Sequence, residues 1–175
     1  MDYGINNTVG APNQSDVNEI LNVAKKNFIS MLDTSPTYGE ADNKIGFYHQ
    51  NNHKKFRCIT KIPKGIPAKN IRQTIIYSIN TLKSEVYEVL IHDFKTYKMN
   101  PEIWVQLQNA KSEGLIKKIG FSVYYPSDIK FLLDRNTDFS LVQLPYNIFD
   151  RRFENIFSKL NQMGVEIHAR SSFLQ

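Results

Sequence analysis

The chain has 175 residues, a net charge of +5 and 41% hydrophobic residues, a composition that predicts one folded domain with a substantial core. No apolar run approaches the ~18 residues that a membrane-spanning helix needs, and the N-terminal stretch lacks the pattern of a secretory signal. The lysines are scattered and form no stripe interleaved with aromatic residues, which argues against nucleic-acid binding. The single cysteine, Cys58, excludes an internal disulfide and favours a reducing, cytoplasmic location.

Short apolar runs of strand length alternate with segments of helical periodicity. In chain order the predicted elements are helix Ser15–Asn27, strand 28–33, helix Asp42–Asn51, strand 56–62, helix Pro67–Leu82, strand 86–92, helix Pro101–Ser112, strand 116–123, helix Pro126–Asp134, strand 139–146, helix Asp150–Met163 and strand 164–171. Ser15 is the expected N-cap of the first helix. Such alternation, repeated six times, predicts a parallel sheet built from βα units.

Polar residues at the strand ends distinguish two parallel-sheet architectures, an open doubly wound sheet and a β/α barrel. Asp33, Lys61 and His92 lie at or near the C-terminal ends of the first three predicted strands. In a barrel those ends share one mouth, where catalytic groups collect. An open sheet usually has a glycine-rich phosphate loop after its first strand, and the sequence contains neither G-x-G-x-x-G nor a P-loop. The predicted α/β fold is therefore a TIM-type barrel.

Four residues, Asp33, Tyr38, Lys61 and His92, form a set suited to carbonyl reduction and are called the tetrad below. A tyrosine hydroxyl can protonate the alkoxide that hydride transfer leaves, although the pKa of a free tyrosine is near 10. A lysine ammonium nearby favours the tyrosinate, a carboxylate holds that lysine, and a histidine orients the carbonyl oxygen. Each residue alone also has a structural interpretation, as a turn cap, a packing residue, an exposed strand-end lysine or a satisfied histidine.

A series of motifs between Tyr3 and Gln175 gives the chain a resemblance to the aldo-keto reductase family. In family order they are YGINN, LDTSPTYGEADNKIG, ITK, VLIHD, GLIKKIGFSVY, LVQLPYN and RSSFLQ. The resemblance implies a (β/α)8 barrel that uses NADP(H) to reduce an aldehyde, a ketone or a sugar carbonyl. It also implies that Tyr38 is the general acid-base, that Lys61 and Asp33 tune it, and that His92 positions the carbonyl.

The same resemblance implies a cofactor-binding set of Ser122, Gln143, Asp33 and Arg170. Ser122 and Gln143 would hold the nicotinamide carboxamide. Arg170 stands where many relatives have an aromatic residue that stacks on the nicotinamide, so this chain lacks that aromatic face. Val123 stands where the family commonly has asparagine, so one carboxamide hydrogen bond is missing or replaced.

Residues 1–175 are interpreted as a single incomplete barrel domain with about six of the family's eight βα units. On this interpretation the chain is truncated at both ends and lacks the segments that contact the adenosine phosphate. Open sheet edges would favour self-association of the chain. The alternative to a reductase is an inactive remnant or a non-enzymatic interaction module that keeps the barrel pocket. No metal site is expected, because the histidines outside the motifs show no ligand spacing.

Overall fold

The computed structural model describes residues 10–173, which form six strands and seven α-helices. The strands are β1 Met31–Asp33, β2 Arg57–Ile62, β3 Val86–Ile91, β4 Lys118–Ser122, β5 Leu141–Pro145 and β6 Glu166–Arg170. The helices are α1 Gln14–Lys26, α2 Ala41–Gln50, α3 Ile71–Leu82, α4 Phe94–Met99, α5 Glu102–Ser112, α6 Pro126–Asp134 and α7 Glu154–Gln162, with a 3-10 turn, Ala68–Asn70, before α3. Each of the six predicted strands and six predicted helices is therefore confirmed, with ends that differ by a few residues.

The strands form one parallel sheet in the order β1-β2-β3-β4-β5-β6, and this sheet is strongly curled. Two strands separate β3 from β6, which in a flat sheet would place these strands about 14 Å apart. Nevertheless Oε2 of Glu88 in β3 lies 3.9 Å from Nδ1 of His168 in β6. The strands thus wrap round a common interior, which confirms the predicted incomplete TIM-type barrel.

Side chains along each strand alternate between an outer and an inner layer. The outer layer belongs to the main hydrophobic core, where strand residues pack under apolar helix residues; it includes Cys58, Val89, Phe121, Val142 and Leu107. Burial raises the pKa of the Cys58 thiol to about 12, which keeps it an unreactive core residue. The inner layer is a small apolar cluster of Ile59, Leu90 and Leu141 with Met31 packed against it. Asp33 and Lys61 lie two residues beyond inner-layer residues and therefore face the interior.

Helix α1 begins at a different cap from the one that the sequence predicts. The cap is Asn13, not Ser15: its side chain accepts the N–H of Asp16 at 3.0 Å, and the Asp16 carboxylate accepts the N–H of Asn13 at 3.0 Å. This reciprocal capping box satisfies two backbone donors, whereas a serine cap alone satisfies one. The longest helix is α1, with 13 residues, and within residues 10–173 no helix is long and apolar enough to cross a membrane.

One helix was not predicted from the sequence, and another begins at a different residue from the predicted one. Helix α4 was not predicted, because six residues are too few to show a helical period; Asp93 caps it by accepting the N–H of Lys95 at 3.0 Å. The last helix starts at Glu154 instead of Asp150. Asp150 belongs to a preceding turn, in which its N–H donates to the side chain of Asn147 at 2.9 Å.

Gly46 allows α2 to lie directly against α3. A Cβ atom at this position would lie 1.9 Å from the carbonyl oxygen of Thr81, well inside van der Waals contact. Because that neighbour is backbone, Gly46→Ala is expected to force the helices apart and to lower the free energy of unfolding by about 1–3 kcal/mol. Denaturant unfolding measures the change, with Gln50→Ala, exposed on the same helix, as control. Equal stability of the two variants would contradict this packing.

Candidate active site

The Lys61 side chain carries a charge that is fully enclosed near the C-terminal end of β2. It is 1% exposed, and its Nζ donates to both carboxylate oxygens of Asp33 at 2.8 and 2.9 Å. A third bond to the carbonyl oxygen of Thr34, at 3.1 Å, uses its remaining donor. Asp33, the last residue of β1, is 40% exposed, so solvent partly screens the ion pair. The ammonium group is therefore held in one position by two neighbouring strand ends.

Tyr38 and His92 lie beside this ammonium group. The Nζ atom of Lys61 is 4.9 Å from the centre of the Tyr38 ring. The Tyr38 and His92 rings have centres 6.0 Å apart and meet edge to face at 82°. Among the described residues, neither the Tyr38 hydroxyl nor the His92 imidazole makes a hydrogen bond. The structure thus brings together the four residues of the tetrad and leaves two proton-bearing groups free for an external oxygen atom.

The His92 imidazole is shifted toward its neutral form. Burial lowers the pKa of His92 below its usual value of 6.5, and the Lys61 ammonium lowers it further. The charge of Arg170 contributes in the same direction, while the Asp33 carboxylate opposes the shift. At pH 7 the ring is consequently neutral, and it offers one N–H donor rather than a positive charge.

Ser122 and Gln143 lie side by side on the next pair of strands. They are register partners in β4 and β5, and both are buried, at 3% and 5% exposure. Within residues 10–173 the Ser122 hydroxyl and the Gln143 amide make no hydrogen bond. Gln143 lies two residues after the inner-layer residue Leu141 in β5, so its side chain points to the same face of the sheet. The pair therefore faces the interior. It offers one hydroxyl and one amide to a polar ligand, which fits the donor and acceptor groups of a carboxamide.

Arg170, the last residue of β6, also lies at a strand end on the inner face. Its Nη2 donates to the carbonyl oxygen of Val123 at 3.3 Å, and its guanidinium carbon lies 4.0 Å from the centre of the Tyr124 ring. Its Nε is buried and has no hydrogen-bond partner in the described part of the chain. The guanidinium group thus stacks on an aromatic residue of the protein itself.

The sequence and the fold were compared with known proteins. The sequence model of the Aldo/keto reductase family matches residues 1–175. The chain belongs to the aldo/keto reductase family. This membership places it among oxidoreductases, as the motifs predicted. No curated protein is significantly similar to it in sequence.

Solved structures of aldo-keto reductases share the fold. An assigned aldo-keto reductase from Pseudomonas aeruginosa superposes with a TM-score of 0.83 at 19% identity, covering 98% of this chain and 69% of that one. Aldo-keto reductase AKR11C1 from Bacillus halodurans gives TM-scores of 0.79 for its holo form and 0.73 for its apo form, at 20% and 21% identity. Both comparisons cover 92% of this chain, but 58% and 56% of AKR11C1. This reductase chain therefore spans between 56% and 69% of the length of these relatives.

A buried hydrogen bond behind the tetrad was not predicted from the motifs. The Thr34 hydroxyl donates to Oδ1 of Asp42 at 2.5 Å, and both residues are buried. Burial raises the pKa of Asp42, and its second carboxylate oxygen has no partner among the described residues. Because the carbonyl oxygen of Thr34 also accepts a bond from Lys61, the Thr34–Asp42 contact supports the backbone that holds the ammonium group.

A cluster of four charged or ionisable residues lies in the barrel interior, and the motifs did not predict it either. Lys118 forms an ion pair with Glu166 and lies 3.5 Å from Glu88. His168 directs Nε2 to Glu166 at 2.8 Å and Nδ1 to Glu88 at 3.9 Å. Three of these residues bring potential metal-ligand atoms within 4.8 Å of one another. The imidazole, however, turns a different nitrogen to each glutamate, Lys118 already supplies positive charge, and both Glu88 oxygens are buried without a hydrogen-bond partner among the described residues. The four side chains therefore form a charge cluster around a buried carboxyl group.

Glu88 is expected to make the stability of the reductase fall as the pH rises. Burial raises the pKa of this carboxyl group above the 4.5 of the unfolded chain, so the folded state binds its proton more strongly. Stability from this group is complete below about pH 4.5 and is lost as the pH rises through the folded-state pKa. Glu88→Gln removes the loss, so its stability relative to the unmodified chain should increase as the pH rises above about 4.5.

Glu166→Gln serves as the control, because hydrogen bonds from His168 and Lys118 lower the pKa of Glu166. Its effect should have the opposite sign, a loss of stability above about pH 4.5. Thermal unfolding measured across this pH range tests both variants. A Glu88→Gln variant whose stability difference does not depend on pH would contradict the assignment.

Proposed function

We propose that this reductase chain transfers hydride from NADPH to the carbonyl of a small aldehyde, ketone or sugar. Tyr38 donates the proton to the carbonyl oxygen. His92 donates a hydrogen bond to the same oxygen and orients it. The Lys61 ammonium stabilises the phenolate that remains on Tyr38, and Asp33 holds that ammonium in place.

The observation that carries the proposal is the arrangement around Lys61. Its ammonium group is 1% exposed, is bonded to Asp33 at 2.8 Å and lies 4.9 Å from the Tyr38 ring centre. A buried lysine in a purely structural role would need only its ion-pair partner. Here a phenol and a neutral imidazole that make no hydrogen bond within residues 10–173 share the same site, which supports a proton donor and an oxygen-orienting group for a reacting carbonyl.

Ser122 and Gln143 are proposed to hold the nicotinamide carboxamide, and Asp33 and Arg170 complete the predicted cofactor set. The buried, unpartnered side chains of Ser122 and Gln143 support this role. When bound, the cofactor supplies the hydride. A preference for NADP(H) over NAD(H), and a cytoplasmic location, are parts of the same proposal; the buried single thiol of Cys58 supports the second.

The test is direct measurement of cofactor binding and turnover with the purified chain. We expect NADPH to bind and to be consumed in the presence of simple aldehydes, with a KM between about 1 μM and 1 mM. NADH serves as the comparison for cofactor preference. If neither cofactor binds at concentrations of about 1 mM, the reductase proposal fails for this chain, and the alternative of an inactive remnant or a non-enzymatic interaction module takes its place.

We further propose that the edge strands β1 and β6 mediate self-association. The residues of β1 and β6 are half-buried or exposed, whereas β5 is buried throughout. Beside β1, Phe28 and Ile29 are 94% and 50% exposed. Such edges pair readily with strands of another molecule. Sedimentation measured over a wide range of protein concentrations tests this: a dimer supports it, and a monomer at the highest concentration contradicts it.

A further inference from the structure

Arg170 carries an uncompensated positive charge at the mouth of the site. In the described part of the chain, no acidic side chain forms an ion pair with it. Asp150 is an acidic group within electrostatic reach, and Arg170 helps to lower its pKa. Asp150 is already bound by Arg152, through two bonds of 2.7 and 2.8 Å. Within residues 10–173 the guanidinium of Arg170 therefore has no anionic partner of its own.

The Arg170 side chain is nevertheless fixed in position. The Tyr124 ring supports one face of the guanidinium at 4.0 Å, and the Val123 carbonyl oxygen accepts from Nη2 at 3.3 Å. Its Nε is buried without an acceptor, and an unpaired buried donor is costly until an acceptor arrives. A fixed guanidinium with unused donors is suited to bind a carboxylate or a phosphate group through paired hydrogen bonds.

Arg170 acts on the same space as the tetrad. Arg170 ends β6 on the inner face, at the same end of the sheet as Lys61 near the end of β2 and His92 just after β3. Its charge also helps to lower the pKa of His92. An anion bound at Arg170 would thus lie close to a carbonyl held by Tyr38 and His92. Of the other cations near Arg170 and the tetrad, Lys61 is already paired with Asp33 and Arg152 with Asp150, which leaves Arg170 as the available anion ligand.

We propose that Arg170, instead of joining the predicted cofactor-binding set, binds an anionic group, a carboxylate or a phosphate, carried by the carbonyl substrate. This inference rests on the proposed function and narrows the substrate class to negatively charged aldehydes, ketones or sugars. Arg170 then determines specificity by fixing the distance between the anion and the reacting carbonyl. The same chemistry exists in the phosphates of the cofactor, so the experiment separates these two sources.

Turnover is compared for 4-carboxybenzaldehyde and benzaldehyde, which differ only in the anionic group. With NADPH, the unmodified chain should prefer the carboxylated aldehyde by about 10- to 100-fold in kcat/KM, the range expected for charge-assisted hydrogen bonds. Arg170→Gln should reduce this ratio to near one. Arg72→Gln is the matched control, because Arg72 is exposed and paired with Glu113 on the outer helices; this variant should keep the full ratio.

Binding of unreactive ligands is measured separately, without cofactor, by ligand-observed NMR with 4-methylbenzoate and 4-methylbenzamide. A preference for the benzoate that Arg170→Gln abolishes supports the anion site, even if no aldehyde is turned over and the proposed function fails. Equal binding of both ligands by the unmodified chain overturns the inference, whether or not the chain is active. A weaker NADPH affinity in Arg170→Gln with an unchanged substrate ratio assigns Arg170 to the cofactor and also overturns it.

Discussion

Tyr38→Phe is expected to lower kcat/KM for carbonyl reduction by about 10²- to 10⁴-fold, the usual contribution of a positioned general acid. The substitution removes one oxygen atom and keeps the ring, whose edge-to-face contact with His92 and position beside Lys61 are therefore preserved. Because the Tyr38 hydroxyl bonds to nothing in the described chain, its loss leaves no buried group unpaired. The free energy of unfolding and the NADPH affinity should thus change little, while kcat/KM falls. Rates of NADPH oxidation, together with the dissociation constant, measure the two effects.

The control for this variant is Tyr125→Phe, at an exposed tyrosine that follows β4 and lies outside the tetrad. It loses the same hydroxyl and should keep the unmodified rate. A Tyr38→Phe chain that is as active as Tyr125→Phe would falsify the role of Tyr38 as the proton donor. A Tyr38→Phe chain that loses activity and NADPH affinity together would instead indicate a damaged pocket.

The position of the tetrad could be predicted because the relevant information is local. Asp33, Lys61 and His92 follow apolar runs, and parallel strands must end on one side of the sheet. The motif around Tyr38 lies in the loop directly after β1, so its distance from Asp33 is limited by five residues of chain. The structure brings these groups together as the sequence predicted, although their catalytic roles stay proposals.

The interior cluster could not be predicted, because its members meet only when the sheet curls. Glu88 and His168 are far apart in sequence and lie on strands that a flat sheet would separate. In the sequence Glu88 appears as one charged residue within an apolar strand, and His168 alternates with Glu166 and Arg170. Neither pattern identifies a partner on another strand. The same reason applies to Arg170, whose stacking on Tyr124 depends on contact between β6 and the loop after β4.

The remaining differences between prediction and structure concern where helices begin, and they depend on which neighbouring side chains form hydrogen bonds with the backbone at those points. Ser15 and Asn13 both have side chains that can cap a helix, and only the acidic residue at position 16 decides between them by completing the box with Asn13. The start of α7 is decided in a similar way, because Asn147 and Arg152 hold Asp150 in a turn. Helix α4 has a single cap and six residues, too little for a periodic signal.

Lys61→Met is expected to separate activity from stability. The buried ammonium makes three hydrogen bonds, two to Asp33 and one to Thr34, and an apolar side chain of similar length can fill its space. Replacing both partners of a buried ion pair by well-packed apolar residues is often neutral or stabilising, whereas removing one partner costs about 3–5 kcal/mol because the other charge stays buried and unpaired. The Asp33 carboxylate that remains is 40% exposed, so water can solvate it. The free energy of unfolding should therefore fall by less than about 3 kcal/mol.

Activity should fall by far more than this loss of stability would explain. Without the ammonium group, the phenolate that forms on Tyr38 has no positive charge beside it, and kcat should fall by about 10²-fold or more. Lys64→Met, at an exposed lysine just beyond β2, is the control that should leave both quantities unchanged. Chemical denaturation and single-turnover rates on the same preparations give the comparison. If Lys61→Met loses stability and activity to a similar extent, the role of Lys61 is structural. The proton-transfer role proposed for the tetrad then fails as well.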